Sequence, residues 1–180
     1  SFWLPKFKWL EKEGFQFSTG NSFCTIKDLI VFELTGQFVT DTSNAVATGM
    51  CNIRTGAWDE QMLKTGGISA EQLPRIIQTT DILSLEKNER TTSMQLPADL
   101  KIVLGATDGV LSSLGAGAYK PGQVTTMIGS SGACRIAADS PLIQEKDPIT
   151  WSFPLDEHIW IRGGAMNNGG LDRKSTRLNS

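Results

Sequence analysis

Histidine is almost absent from this chain: His158 is the only one in 180 residues. It stands between Glu157 and Ile159 in a strand-like run, where it reads as a hairpin residue. A Ser-His-Asp triad would need that single ring, and nothing around it supports one. Cysteine is also scarce. Cys24, Cys51 and Cys134 are widely spaced and form no CxxC pair. With one histidine they give no support for a His/Cys zinc site, and they read as reduced, partly buried thiols of a cytoplasmic protein. No apolar run approaches the roughly 18 residues of a transmembrane helix, and no signal-peptide pattern is present. Basic blocks are missing as well: 17 Lys and Arg stand against 19 Asp and Glu, a net charge of −2. Nucleic acid and membrane are therefore not expected as partners. No internal repeat is evident. The chain starts in mid-pattern without Met, as a truncated sequence would.

What remains is an ordinary balance of apolar and charged residues, enough for one domain or parts of two. The spacing predicts a helix within residues 1–14, with Pro5 in its first turn, Trp3, Phe7 and Leu10 on one face, and Gly14 as its stop. Thr25 and Asp28 form a near capping box for a second helix, with Ile26, Leu29, Ile30 and Leu34 as its buried face and Gly36 at its end. Residues 40–45 read as a self-satisfied polar loop. Trp58 to Leu63 reads as a short helix before Gly66-Gly67, and Ser69 with Gln72 caps a further turn. Residues 79–96 read as a surface excursion with a strand near Ser93–Gln95.

Lys101 to Arg135 organises the rest. Ile102-Val103-Leu104 reads as a buried strand, with Asp108-Gly109 just past its end. A second strand, Gln123 to Ile128, delivers Gly129-Ser130-Ser131-Gly132. Strand ends hold loop groups on a rigid frame, which is where α/β proteins place ligands. Alone, Asp108 reads as a turn or helix N-cap residue before it reads as a base, because Val110, Leu111 and Leu114 begin a helix after it. Alone, the serine-glycine turn serves as a hairpin or as a nest of N–H groups for phosphate oxygens. It has no P-loop lysine, so it is not of the Walker type. Together they fit phosphoryl transfer to a hydroxyl: Asp108 accepts the proton, the turn holds nucleotide phosphates, and Mg²⁺ offsets their charge. Two later strands, residues 149–153 and 158–162, form a hairpin that delivers Gly163-Gly164-Ala165-Met166-Asn167-Asn168-Gly169-Gly170. The glycine pairs would let backbone approach a ligand, or mark an Asn-Gly turn. Residues 171–180, LDRKSTRLNS, have no apolar face and read as a non-native tail.

Four blocks carry a resemblance. LTGQFVTDTSNAVATGMCNI with WDEQML, GATDGVLSSLGAGAYKPGQ, MIGSSGACR and IRGGAMNNGG are similar, in that order, to segments of the FGGY family of carbohydrate kinases, with the gluconokinase branch the nearest. The resemblance implies an α/β, actin-like (ribonuclease H-like) ATPase fold, present only in part. Residues 1–115 would end the first, sugar-binding domain, and residues 116–170 would begin the second, nucleotide-binding domain. It implies that Asp108 is the general base, that Gly109 lies beside the sugar, and that Gly129, Ser130, Ser131 and Gly170 contact the nucleotide. Ser130 replaces the family's usual threonine and keeps the hydroxyl.

The expected reaction is transfer of the γ-phosphate of MgATP to D-gluconate. Glycerol, xylulose or ribulose are the alternative acceptors, and a noncatalytic nucleotide-binding protein on the actin-like fold is the alternative of another class. ATP and Mg²⁺ are the expected cofactors, no residue is assigned as a metal ligand, and a homo-oligomer is left open. Family members also carry an N-terminal phosphate loop, an early sugar-binding loop and a C-terminal adenine-binding half. None of these is in this sequence, so the 180-residue chain alone is expected to be inactive and, with unpaired sheet edges, prone to aggregate.

Overall fold

The structure, a computed structural model, describes residues 2–129, 132–143 and 150–166. The chain divides into two compact units, Ser1–Ala106 and Thr107–Ser180.

The first unit opens with helix α1, Leu4–Lys12, which has Pro at its start and Lys12 in its last turn. Gly14 follows at φ +87°, a left-handed turn that glycine makes without strain. Phe7 is the residue α1 buries. It packs with Met50, Leu63, Ile68 and Leu73, and Trp3, Phe17, Phe23 and Trp58 close round them. The rings meet edge to face, Phe7–Phe23 at 4.9 Å and Phe7–Phe17 at 5.4 Å, the arrangement that ring quadrupoles favour.

Helix α2, Ile26–Thr35, begins on the expected capping box: Thr25 N–H donates to Asp28 Oδ2 at 2.8 Å, and Asp28 N–H to Thr25 Oγ1 at 3.2 Å. Gly36 ends it in the left-handed region. Its buried face, however, is Asp28, Val31 and Thr35, while Ile26 is 79 % and Ile30 53 % exposed. The helix is apolar nearly all round, so periodicity alone did not choose between its two stripes. Val31 joins Val39, Leu83 and Leu104 in a second core.

Strand β1, Val39–Asp41, is buried throughout and pairs in parallel with β4, Arg75–Ile77. The expected loop after Thr40 is instead the end of β1 and helix α3, Thr42–Ala47. Asp41 caps that helix, accepting from Asn44 N–H at 2.9 Å, so the polar side chains serve a helix start. Strands β2, Cys51–Asn52, and β3, Ala57–Trp58, form a small hairpin before α4, Glu60–Gly66. Asp59 caps α4, and Gly67 closes it in the left-handed region. The Ser69/Gln72 box caps a 3-10 turn, Ala70–Gln72, as expected.

The segment read as an excursion carries more structure than its polarity implied. Strand β5, Ile82–Ser84, pairs antiparallel with β6, Lys101–Val103. Helix α5, Glu89–Ser93, falls between them in sequence, capped by Asn88, and its end with the turn that follows stands where a strand near Ser93–Gln95 was expected. β6 exists as predicted but is not a buried strand: Leu104 is buried, whereas Val103 is 59 % exposed.

The second unit begins with helix α6, Asp108–Gly115, with Val110 and Ser113 buried. A four-stranded antiparallel sheet follows in the order β7-β8-β10-β9. Its strands are β7, Val124–Ile128; β8, Gly132–Ala138; β9, Trp151–Pro154; and β10, Trp160–Met166. The predicted β9–β10 hairpin is present, with Trp160 opposite Pro154 and Gly163 opposite Trp151. Gly163 and Gly164 are not part of a ligand loop. They lie within β10, opposite Arg135 and Cys134 of β8. A Cβ on Gly163 would stand 2.5 Å from the Trp151 ring, so the glycine is where an indole crosses the strand.

Candidate active site

Asp108 is the first residue of α6, with Thr107 as the N-cap. Its carboxylate is exposed, and Oδ1 accepts from the Gly109 N–H at 2.7 Å. An acid in the first turn of a helix stands among N–H groups that have no partner within the helix. The helix is fixed below that turn. Val110 is fully buried, and Ser113 Oγ lies 3.2 Å from Thr125 Oγ1 of β7. Ser112 and Ser113 both donate back to the Gly109 carbonyl, at 3.0 and 3.2 Å. Asp108 is therefore an exposed acid on an anchored element.

β7 leads from that anchor to the serine-glycine turn. Val124 to Ile128 pair with Ile136 to Gly132, so the chain reverses between Ile128 and Gly132. Gly129 is exposed at the start of the reversal. It stands four positions beyond Thr125, about 13 Å along a strand. Ser130, Ser131 and Gly170, together with the tail, lie outside the described residues. The structure thus puts Asp108, Gly109 and Gly129 in one unit. A hollow of about 290 Å³ beneath α5, lined by Leu85, Lys87, Thr91, Gln95 and Leu96 among others, contains none of the expected site residues. Among the described residues, no group of three or more His, Cys, Asp or Glu side chains is placed to hold a metal ion.

Arg135 is the residue that sequence reasoning missed. On β8 it stands between Thr125 of β7 and Gly163 of β10. Its guanidinium lies over the Trp151 ring, 5.7 Å from the centroid, and Arg135 is 8 % exposed. A Cβ at Gly109 would come within 3.3 Å of both Nε and Nη2. The guanidinium edge therefore packs against the backbone beside Asp108. The available signal was compositional: one arginine in GACRIAA, a strand otherwise of small and apolar residues.

The cysteines are free thiols. Burial, and then the negative charge of Asp59, pushes Cys51 up to about 11. Burial, and then Asp28, raises Cys24 as well. Both are poor nucleophiles near neutrality. Cys24 and Cys51 are partly buried as expected, whereas Cys134 is exposed.

Residues 1–115 match the N-terminal domain of the FGGY family of carbohydrate kinases, and the chain belongs to that family. Among curated relatives, it is 37 % identical over 169 residues to the gluconokinase of Bacillus subtilis (strain 168), covering 93 % of this chain and 33 % of that protein. Among solved structures, the gluconate kinase of Lactobacillus acidophilus matches with a TM-score of 0.86 and 36 % identity, over 98 % of this chain and 36 % of that one. A structure described as a ligand-bound xylulose kinase from Lactobacillus acidophilus gives the same TM-score, identity and coverage. The fold is accordingly the actin-like fold of FGGY sugar kinases, present in part. The chain spans about a third of the length of the curated relatives it matches.

Proposed function

We propose that the protein to which this chain belongs is an ATP-dependent kinase that transfers the γ-phosphate to a terminal hydroxyl of D-gluconate, giving 6-phosphogluconate. The observation that carries the reading is Asp108: an exposed carboxylate at the first turn of an anchored helix, in a family of carbohydrate kinases. In this reading Asp108 accepts the proton of the acceptor hydroxyl as its oxygen attacks phosphorus, and Gly109 lies beside the sugar. The turn at Gly129, Ser130 and Ser131 holds the nucleotide phosphates, with Gly170 near the diphosphate. Mg²⁺, carried on the phosphate oxygens, would neutralise charge there. Residues 1–115 are proposed as the end of the sugar-side domain and 116–170 as the start of the nucleotide-side domain. The reaction is placed in the cytoplasm. Among the described residues, no helix is long and apolar enough to cross a membrane.

Asp108→Asn in the full-length protein tests the mechanism. Turnover is expected to fall by about 10²–10⁴-fold while ATP binding persists. Retained turnover would remove Asp108 from the chemistry. The equal match to a xylulose kinase structure favours a pentulose as the second acceptor class. Rates for aldonates, ketoses and polyols side by side decide between them: gluconate should lead in kcat/KM, and preference for xylulose would reverse the assignment.

A further inference from the structure

Arg135 is a buried cation with little to answer its charge among the described residues. Among the described residues it makes no ion pair, and its Nε has no hydrogen-bond partner. Its described compensation is the face of Trp151. Burying a guanidinium this way is unfavourable unless an anion stands near it. The position adds to the cost, because the N-terminal end of α6 is itself positive. Packing alone would be served as well by methionine, which brings no charge.

The geometry shows where that charge is directed. Nε and Nη2 form the edge of the guanidinium that grips carboxylates in pairs of hydrogen bonds. Both atoms face the same point, the missing Cβ of Gly109, from 3.3 Å. Gly109 is the residue whose N–H holds Asp108 Oδ1. A methyl at 109 would be tight against the fork, which would have to give by a few tenths of an ångström. The arginine is held from the other side by the indole of Trp151, which can lie across β10 because residue 163 is glycine. A chain of close contacts thus runs from Gly163 through Trp151 and Arg135 to Gly109, and ends beside the carboxylate.

We propose that Arg135 is a positioning residue for Asp108: its guanidinium, seated against Gly109, fixes the first turn of α6 so that the carboxylate faces the acceptor hydroxyl. This rests on the reading of Asp108 as the base. The experiment is a double-mutant cycle in the full-length enzyme, with Asp108→Asn, Arg135→Gln and their combination, followed by transfer of labelled γ-phosphate so that residual turnover stays measurable. Arg135→Gln is expected to lower kcat by about 100-fold, the effect of a small misplacement, with the KM for ATP and for the acceptor within about threefold. Added guanidinium ion should restore part of that turnover. In the Asp108→Asn background the same change should have almost no further effect, because the group it positions is gone. Equal losses in both backgrounds, or an unchanged kcat in Arg135→Gln, overturn the proposal. Should Arg135→Gln fail to fold, Arg135→Lys takes its place in the cycle, since it keeps the charge and loses the fork. Full turnover in Asp108→Asn alone would instead strike the base assignment, a result distinct from either.

Discussion

Gly163→Ala is a sharp test of how the second unit is packed. The added methyl carbon would lie 2.5, 2.6 and 2.9 Å from Cζ2, Cη2 and Cε2 of Trp151. Carbon atoms rest about 3.5–4.0 Å apart, so the indole must retreat by about 1 Å. It has little room, because it stacks on Phe153 at 4.7 Å and carries Arg135 on its face. Overpacking of this kind costs about 1–3 kcal/mol, and a weakened cation–π contact adds about 0.5–1 kcal/mol. Alanine loses less backbone entropy on folding than glycine, which returns about 0.5–1 kcal/mol. The net expectation is a loss of about 1–3 kcal/mol, read as a lower denaturant midpoint in the tryptophan-fluorescence transition of the full-length protein. In a Trp151→Ala background the obstacle is gone. There Gly163→Ala should be neutral, or stabilising by up to about 1 kcal/mol. The same cost in both backgrounds would refute the reasoning, since the indole would then not be what the methyl meets.

Three further outcomes are expected. Thr25→Ala removes an acceptor from the capping box of α2 and should cost about 1 kcal/mol in chemical denaturation, with Thr25→Ser nearly silent. Burial, and then Asp59, pushes Cys51 up to about 11 from an ordinary 9.0, so the folded state holds its proton more tightly. Its stabilising contribution is whole below about pH 9 and fades as pH rises toward 11. Denaturation midpoints across that range should fall less steeply in Cys51→Ala. For the same reason, iodoacetamide at pH 8 should modify Cys51 slowly in the folded protein and at an ordinary rate once urea has unfolded it.

Local signals in the sequence translated directly into structure where the physics is local. The boxes at Thr25/Asp28 and Ser69/Gln72, the stop at Gly36 and the β9–β10 hairpin depend on neighbours a few residues away, and each was readable there. The misreadings arose where a distant partner decides. Which stripe of α2 is buried depends on Val39, Leu83 and Leu104, from three other parts of the chain. Strand β5 is only three residues long, too short for a pattern of its own to show, and it is β6 that pairs with it. Gly163 and Gly164 resembled a loop because glycine usually marks one, but here an indole from the adjacent strand needs the space. The candidate site divides the same way. Asp108 and the Gly129 turn stood out by their position after strands, whereas Arg135 gained meaning only when the sheet set it against Gly109.

Lys27, at the start of α2, pairs with the buried carboxylate of Asp41 and also donates to the carbonyl of Leu104 at 3.1 Å, 77 positions further along the chain. That span has a consequence in time. A ribosome adding about 5–20 residues per second needs about 4–15 s to cover it. The ammonium and Asp41 can meet once Asp41 has been made, 14 positions on, but the carbonyl and the Leu104 side chain of the second core do not exist until the interval ends. The first unit therefore emerges with its aromatic cluster largely complete and its other core open. It closes only when the last residues before α6 have been made.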